Sequence, residues 1–114
     1  MTITVIFLGT SNAVPTAERD HPAIWLEWGG ERMLIDCGEG TQRQIKKAGL
    51  NPCKLTKILV THLHGDHVLG LPGLLETLEM SEYSKELNIY GPKGTARHLA
   101  LLQQTYGRFD LNIK

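Results

Sequence analysis

The chain has 114 residues, 41% of them hydrophobic and 6% aromatic, and its 12 Lys+Arg balance its 12 Asp+Glu to a formal net charge of zero. That length admits one domain, and the combination of hydrophobic content and balanced charge excludes a disordered chain. Zero net charge removes long-range steering toward nucleic acid, so an RNA partner would have to be held by local patches or by chemistry.

Residues 2–8 (TITVIFL) are β-branched and aromatic and predict a strand that Gly9 stops. Residues 9–22 hold Gly, Ser, Asn and Pro without an apolar period, which predicts a long loop of the kind that carries function. Residues 23–28 and 31–36 are apolar-rich runs joined by Gly29-Gly30, the pattern of a hairpin whose turn needs positive φ. Thr41-Gln42-Arg43-Gln44 reads as a capping box that opens a helix, and Gly49 with Pro52 ends it. Residues 57–61 (KILVT) predict a short buried strand. Leu71, Leu74, Leu75 and Leu78 fall at i, i+3, i+4 and i+7, one apolar stripe of a helix suited to the core or, less simply, to an interface. A strand over 87–90, a turn at Gly91-Pro92-Lys93-Gly94 and a helix over 95–106 follow. Phe109, Leu111 and Ile113 then alternate with polar residues as in a strand. Hairpin strands followed by strand-helix alternation give a layered α/β (α+β) fold class.

Cys37 and Cys53 are too few for a disulfide framework, and residues 1–4 lack the basic start and long apolar stretch of a secretory signal. No apolar run approaches the roughly 20 residues that span a bilayer. These features predict a soluble cytoplasmic protein with free thiols and no membrane partner, in which Cys37 is a small buried hydrophobe at a strand end.

The informative segment is Thr61-His62-Leu63-His64-Gly65-Asp66-His67. In extended backbone His62 and His64 point to one side, where two imidazoles can bind a borderline-soft cation such as zinc. Gly65 permits a sharp turn that presents Asp66 and His67 from another direction, as a ligand pair for a second ion. Without a cation, groups packed this densely would desolvate or repel one another. Asp36, at a strand end ahead of Gly38-Glu39-Gly40, suits an acceptor for the free N–H of a ligand histidine, fixing its tautomer and orientation. The same glycines could form a phosphate cradle, but they lack the third glycine of a dinucleotide site and a Walker lysine. His21 and His98 stand alone and read as surface or satisfied histidines. Trp25 and Trp28, three apart on a strand, face opposite sides. Arg43, Lys46 and Lys47 form a basic helix face, more simply a solvated face than a phosphate contact.

His62-Leu63-His64-Gly65-Asp66-His67 resembles the HxHxDH motif of metallo-β-lactamase-fold hydrolases. Together with Phe7-Leu8-Gly9-Thr10, Asp36-Cys37-Gly38-Glu39-Gly40-Thr41-Gln42, Gly70-Leu71-Pro72-Gly73-Leu74-Leu75 and Tyr90-Gly91-Pro92-Lys93-Gly94, it resembles the ribonuclease Z family, tRNA 3′-processing endonucleases of the short type. The resemblance implies a four-layer αββα sandwich, with residues 1–114 the N-terminal part of a single domain that is incomplete at its C-terminus. It implies two zinc ions per complete subunit, the first on His62 and His64, the second on Asp66 and His67, with Asp66 also the catalytic base and Asp36 behind a ligand. It further implies precursor tRNA as substrate, a 3′-hydroxyl product and a homodimer. The family's remaining ligands and tRNA-binding arm would lie beyond position 114, so the isolated chain is expected to bind metal poorly and to be inactive. The family's P-x-K-x-R-N loop is matched here only in Pro15 and Arg19, which leaves the response to a CCA end open. The alternatives are another hydrolase of the superfamily, such as a phosphodiesterase or lactonase, and a metal-binding or dimerisation module without activity.

Overall fold

The computed structural model describes residues 2–10, 21–106 and 112–113. Most of the loop expected over 9–22, and Phe109 and Leu111 of the expected last strand, lie outside the described residues.

Strands β1 (Ile3–Gly9), β2 (Ala23–Trp28) and β3 (Glu31–Ile35) form an antiparallel meander. Its hairpin turns on Gly29 and Gly30, at φ 60° and 79°, the left-handed pair that a two-residue loop between twisted strands requires. From β3 onward the neighbours are parallel: β4 (Leu55–Leu59), β5 (Glu86–Tyr90) and the two-residue β6 (Asn112–Ile113) add in sequence order. Parallel neighbours need crossovers, supplied by α1 (Thr41–Lys47), by α2 (Gly65–Val68) with α3 (Leu71–Met80), and by α4 (Thr95–Tyr106). Because the sheet grows in one direction, right-handed crossovers put these helices on a single face.

Burial follows that geometry. On the helix side Trp25, Leu34 and Ile58 lie in register across three strands and are at most 1% exposed. Leu71, Leu74, Leu75 and Leu78 of α3 meet them at 0–1% exposure, so the leucine stripe is used in the chain's own core. On the opposite face Ile3, Val5 and Phe7 are 49–67% exposed, and Trp28 and Tyr90 51%. One sheet with helices on one side and an apolar face on the other is half of an αββα sandwich. Trp25 and Trp28 divide between the two faces as their spacing predicts.

Two local features differ from the sequence reading. Thr41 is the first helical residue rather than the cap. Gly40, at φ 86°, takes the cap position, and the Thr41 hydroxyl donates backwards to the Gly38 carbonyl at 2.6 Å instead of accepting from an early amide. The other end of α1 behaves as expected: Gly49 at φ 73° lets Leu50 N–H reach the Ile45 carbonyl and Gly49 N–H the Lys46 carbonyl, both at 3.0 Å. Strand β4 also stops before Thr61. Val60 still donates to Tyr90 at 2.7 Å, but the Thr61 amide leaves the ladder for the Asp36 side chain. Among the described residues no helix is long and apolar enough to cross a membrane.

Candidate metal centre

The site is built where the parallel strands β3 and β4 end side by side. Asp36 follows β3 with φ 61°, a left-handed conformation that Asp tolerates better than most residues. Its amide still donates to Leu59 at 2.7 Å, so the backbone turns while it remains tied to β4. That turn brings the Asp36 carboxylate, only 5% exposed, under the loop after β4. Oδ1 accepts from Thr61 N–H at 2.8 Å, and Oδ2 from the Thr61 hydroxyl at 2.7 Å and from His67 Nδ1 at 2.8 Å. Asp36 is thus an acceptor for one histidine of the cluster, His67. With Nδ1 donating, Nε2 of His67 is left to face Asp66, whose Oδ2 lies 3.3 Å away.

Asp66 and His67 sit on the single-turn helix α2, which starts from His64. Their donor atoms and one of His62 all lie within 4.8 Å of one another. The rings of His62 and His67 have centroids 3.7 Å apart. His64 stands beside this group: its ring meets that of His62 edge-on at 4.8 Å. The fold thus brings His62, Asp66 and His67 into one cluster with His64 at its flank, where the spacing argument pairs His62 with His64. Two imidazoles and a carboxylate at this separation, one imidazole oriented by a buried carboxylate, are a donor set that fits zinc.

Glycines hold the two loops together, though not the glycine that the turn argument selects. Gly65 opens α2 with ordinary backbone, and a methyl group there would meet only Leu69 at 3.4 Å. Gly38 and Gly70 are the constrained positions. A Cβ on Gly38 would lie 2.2 Å from His21 Cβ and 2.4 Å from the Asp66 carbonyl, and one on Gly70 would lie 2.2 Å from the Gly38 carbonyl. The contact is sewn by Cys37 N–H to the His67 carbonyl at 2.8 Å and Gly70 N–H to the Cys37 carbonyl at 2.9 Å. So Gly38 and Gly70 let the β3–α1 loop lie flat against the segment that carries Asp66 and His67, while Gly40 serves the turn into α1.

The remaining candidates resolve one by one. Cys37 is 1% exposed, and burial pushes its thiol up to about 12, so it packs as a neutral hydrophobe and offers no thiolate. His21 is buried and satisfied, its Nδ1 accepting from Glu39 N–H at 3.3 Å, and it forms the wall against which Gly38 packs. His98 departs from expectation: it is half-buried and its Nε2 has no hydrogen-bond partner among the described residues. Arg43, Lys46 and Lys47 are solvent-exposed on α1. Two surface hollows of about 460 and 480 Å³ lie beside α1 and before α4, and neither is lined by His62, Asp66 or His67. The donor cluster sits on an open rim, with His62 and His64 exposed. Thr61, to which the sequence reading gives no role, bonds both carboxylate oxygens of Asp36; a threonine at a strand end carries no signal of its own.

Residues 3–109 match the family model described as Anti-Pycsar protein Apyc1. A ribonuclease Z of Methanothermobacter thermautotrophicus is 47% identical over 110 residues, covering 96% of this chain and 36% of the relative. One of Methanococcus maripaludis strain C6 is 54% identical over 108 residues, covering 94% and 35%. The crystal structure of the short form of human tRNase Z superposes with a TM-score of 0.87 at 41% identity, over 98% of this chain and 42% of that one. A long-form RNase Z from yeast, 21% identical with a TM-score of 0.81, shares the fold. The chain spans little more than a third of the length of the curated relatives it matches. It belongs to the family described as Anti-Pycsar protein Apyc1, is similar to ribonuclease Z along nearly its whole length, and carries part of the metallo-β-lactamase fold.

Proposed function

We propose that this chain carries metal ligands of a zinc-dependent endoribonuclease that removes the 3′ trailer from precursor tRNA and leaves a 3′-hydroxyl on the tRNA. The observation that carries the reading is the His62–Asp66–His67 cluster backed by Asp36, in a chain half of whose residues are shared with proteins named ribonuclease Z. His62 and His64 would hold one zinc ion, and Asp66 and His67 a second. Bound zinc lowers the pKa of a coordinated water toward neutrality and offsets charge on a scissile phosphate. Asp66, at the rim, is the carboxylate placed to orient that water and take its proton. His67 contributes Nε2 because Asp36 occupies Nδ1. The exposed setting of the cluster suits a substrate too large for a pocket. A homodimer in the cytoplasm belongs to the same reading and rests on kinship alone.

The test is a chimera in which this chain replaces the matched segment of the Methanothermobacter relative, assayed with zinc on a precursor tRNA. Cleavage at the 3′ trailer is expected, and Asp66→Ala should lower kcat/KM by at least about 100-fold, as loss of a general base does. A folded chimera that leaves precursor tRNA intact while hydrolysing bis(p-nitrophenyl) phosphate would instead establish a different hydrolase of the same fold. One inert toward both substrates would leave a metal-binding module.

A further inference from the structure

We propose that Thr61 is a positioning residue: its hydroxyl relays the Asp36 carboxylate to His62 and so fixes that imidazole with Nε2 free for a metal ion. The inference deepens the zinc reading and rests on it for the identity of the ion, but the ordering of His62 is a property of this chain alone.

The protons available around Asp36 decide the tautomers. A carboxylate only accepts, so both groups that touch Asp36 Oδ2, the Thr61 hydroxyl at 2.7 Å and His67 Nδ1 at 2.8 Å, donate to it. The hydroxyl has one proton, and that proton is then committed to Asp36. His62 Nδ1 lies 3.2 Å from the same oxygen. Toward His62 the hydroxyl can therefore only accept, which places the imidazole proton on Nδ1 and leaves the Nε2 lone pair free. Thr61 Oγ1 also approaches His67 Nδ1 at 3.4 Å, but that proton has the shorter bond to Asp36. Thr61 N–H also donates to Asp36 Oδ1 at 2.8 Å, so the residue is tied to the carboxylate by two bonds. One buried carboxylate thus sets the tautomer of two candidate ligands, His67 directly and His62 through a hydroxyl.

The experiment is long-range ¹H–¹⁵N NMR of the histidine-labelled 114-residue chain, at a pH where the ring ¹⁵N shifts themselves show neutral imidazoles. The wild-type chain should show both His62 and His67 protonated on Nδ1. Thr61→Val should move His62 toward a mixture with the Nε2–H form while His67 stays as it is, and should weaken zinc binding about 10-fold in a chelator competition. Thr61→Ser, which keeps the hydroxyl, should restore both. A wild-type His62 protonated on Nε2 overturns the proposal, and that measurement needs no variant to fold. So does a Thr61→Val chain whose His62 tautomer and zinc affinity match wild type. Expected tautomers in this chain, with no zinc bound by the chimera that carries the relative's remaining segment, would leave the role of Thr61 standing and defeat the zinc reading instead.

Discussion

Replacing Gly38 by alanine is expected to cost about 3 kcal/mol of folding stability, the upper end of what overpacking does, and to loosen the metal site with it. The added methyl would sit 2.2 Å from His21 Cβ and 2.4 Å from the Asp66 carbonyl, and neither is the flexible end of a side chain. His21 is 3% exposed and cannot swing aside, so the strain falls on the backbone that carries Asp66 and His67. Gly65→Ala is the matched control. It lies beside the same ligands, but its backbone is that of α2 and its new contact would be an ordinary 3.4 Å, so its stability should stay within about 1 kcal/mol of wild type or rise. Urea unfolding followed by circular dichroism gives both values. Equal midpoints for Gly38→Ala and wild type would show that the two loops are not in contact.

Asp36→Ala is the second large effect, and it acts on both stability and metal affinity. Removing the carboxylate leaves Thr61 N–H, the Thr61 hydroxyl and His67 Nδ1–H without their acceptor. Each such group costs roughly 1–3 kcal/mol where water cannot replace the acceptor. Thr61 and both rings border solvent, so water recovers part, and the expected net loss is about 3 kcal/mol. Alanine also tolerates the φ of 61° less well than aspartate. Zinc affinity should fall by about 10- to 100-fold, because the orientation of His67 is lost. Asp36→Asn separates the two contributions: it keeps a side chain suited to the left-handed backbone and one acceptor oxygen. It should recover much of the stability while zinc binding remains weakened. An Asp36→Ala chain that binds zinc as wild type does would show that Asp36 is a structural carboxylate only.

How much of this was readable in the sequence depends on the range over which each feature is determined. The stripe of Leu71, Leu74, Leu75 and Leu78, the helix over 95–106 and the Gly29-Gly30 hairpin are set by residues within one or two turns of each other, and all three are found as read. The four ligand candidates are adjacent in sequence, so their density alone marked the site. The bond from Asp36 to a histidine was legible because a carboxylate at a strand end ahead of a histidine cluster suits an acceptor for an imidazole N–H. What the sequence hid was set by contacts between distant segments. Thr41-Gln42-Arg43-Gln44 has the same letters whether Thr41 is the cap or the first helical residue, and the left-handed Gly40 together with the Gly38 carbonyl decides between them. Gly65 drew attention as the glycine within the motif, yet the space-limited glycines beside the cluster are Gly38 and Gly70, whose neighbours His21, Asp66 and Gly38 come from other segments. Thr61 became visible only when Asp36, 25 residues earlier, was seen to bind it. The association of His62 with Asp66 and His67 likewise comes from the turn into α2, which a rule for extended backbone cannot anticipate.

The central claim is that the ends of β3 and β4 form a metal centre. An anomalous difference map at the zinc edge, from crystals grown with zinc of the chimera in which this chain replaces the matched segment of the Methanothermobacter relative, tests it most directly. The expected result is one peak held by His62 and His64 and a second held by Nε2 of His67 and the Asp66 carboxylate, each imidazole nitrogen about 2.0–2.1 Å from its ion, with Asp36 still bonded to His67 Nδ1. A map with no peak at this rim, or with its strongest peak on His98 or Cys53, would contradict the account.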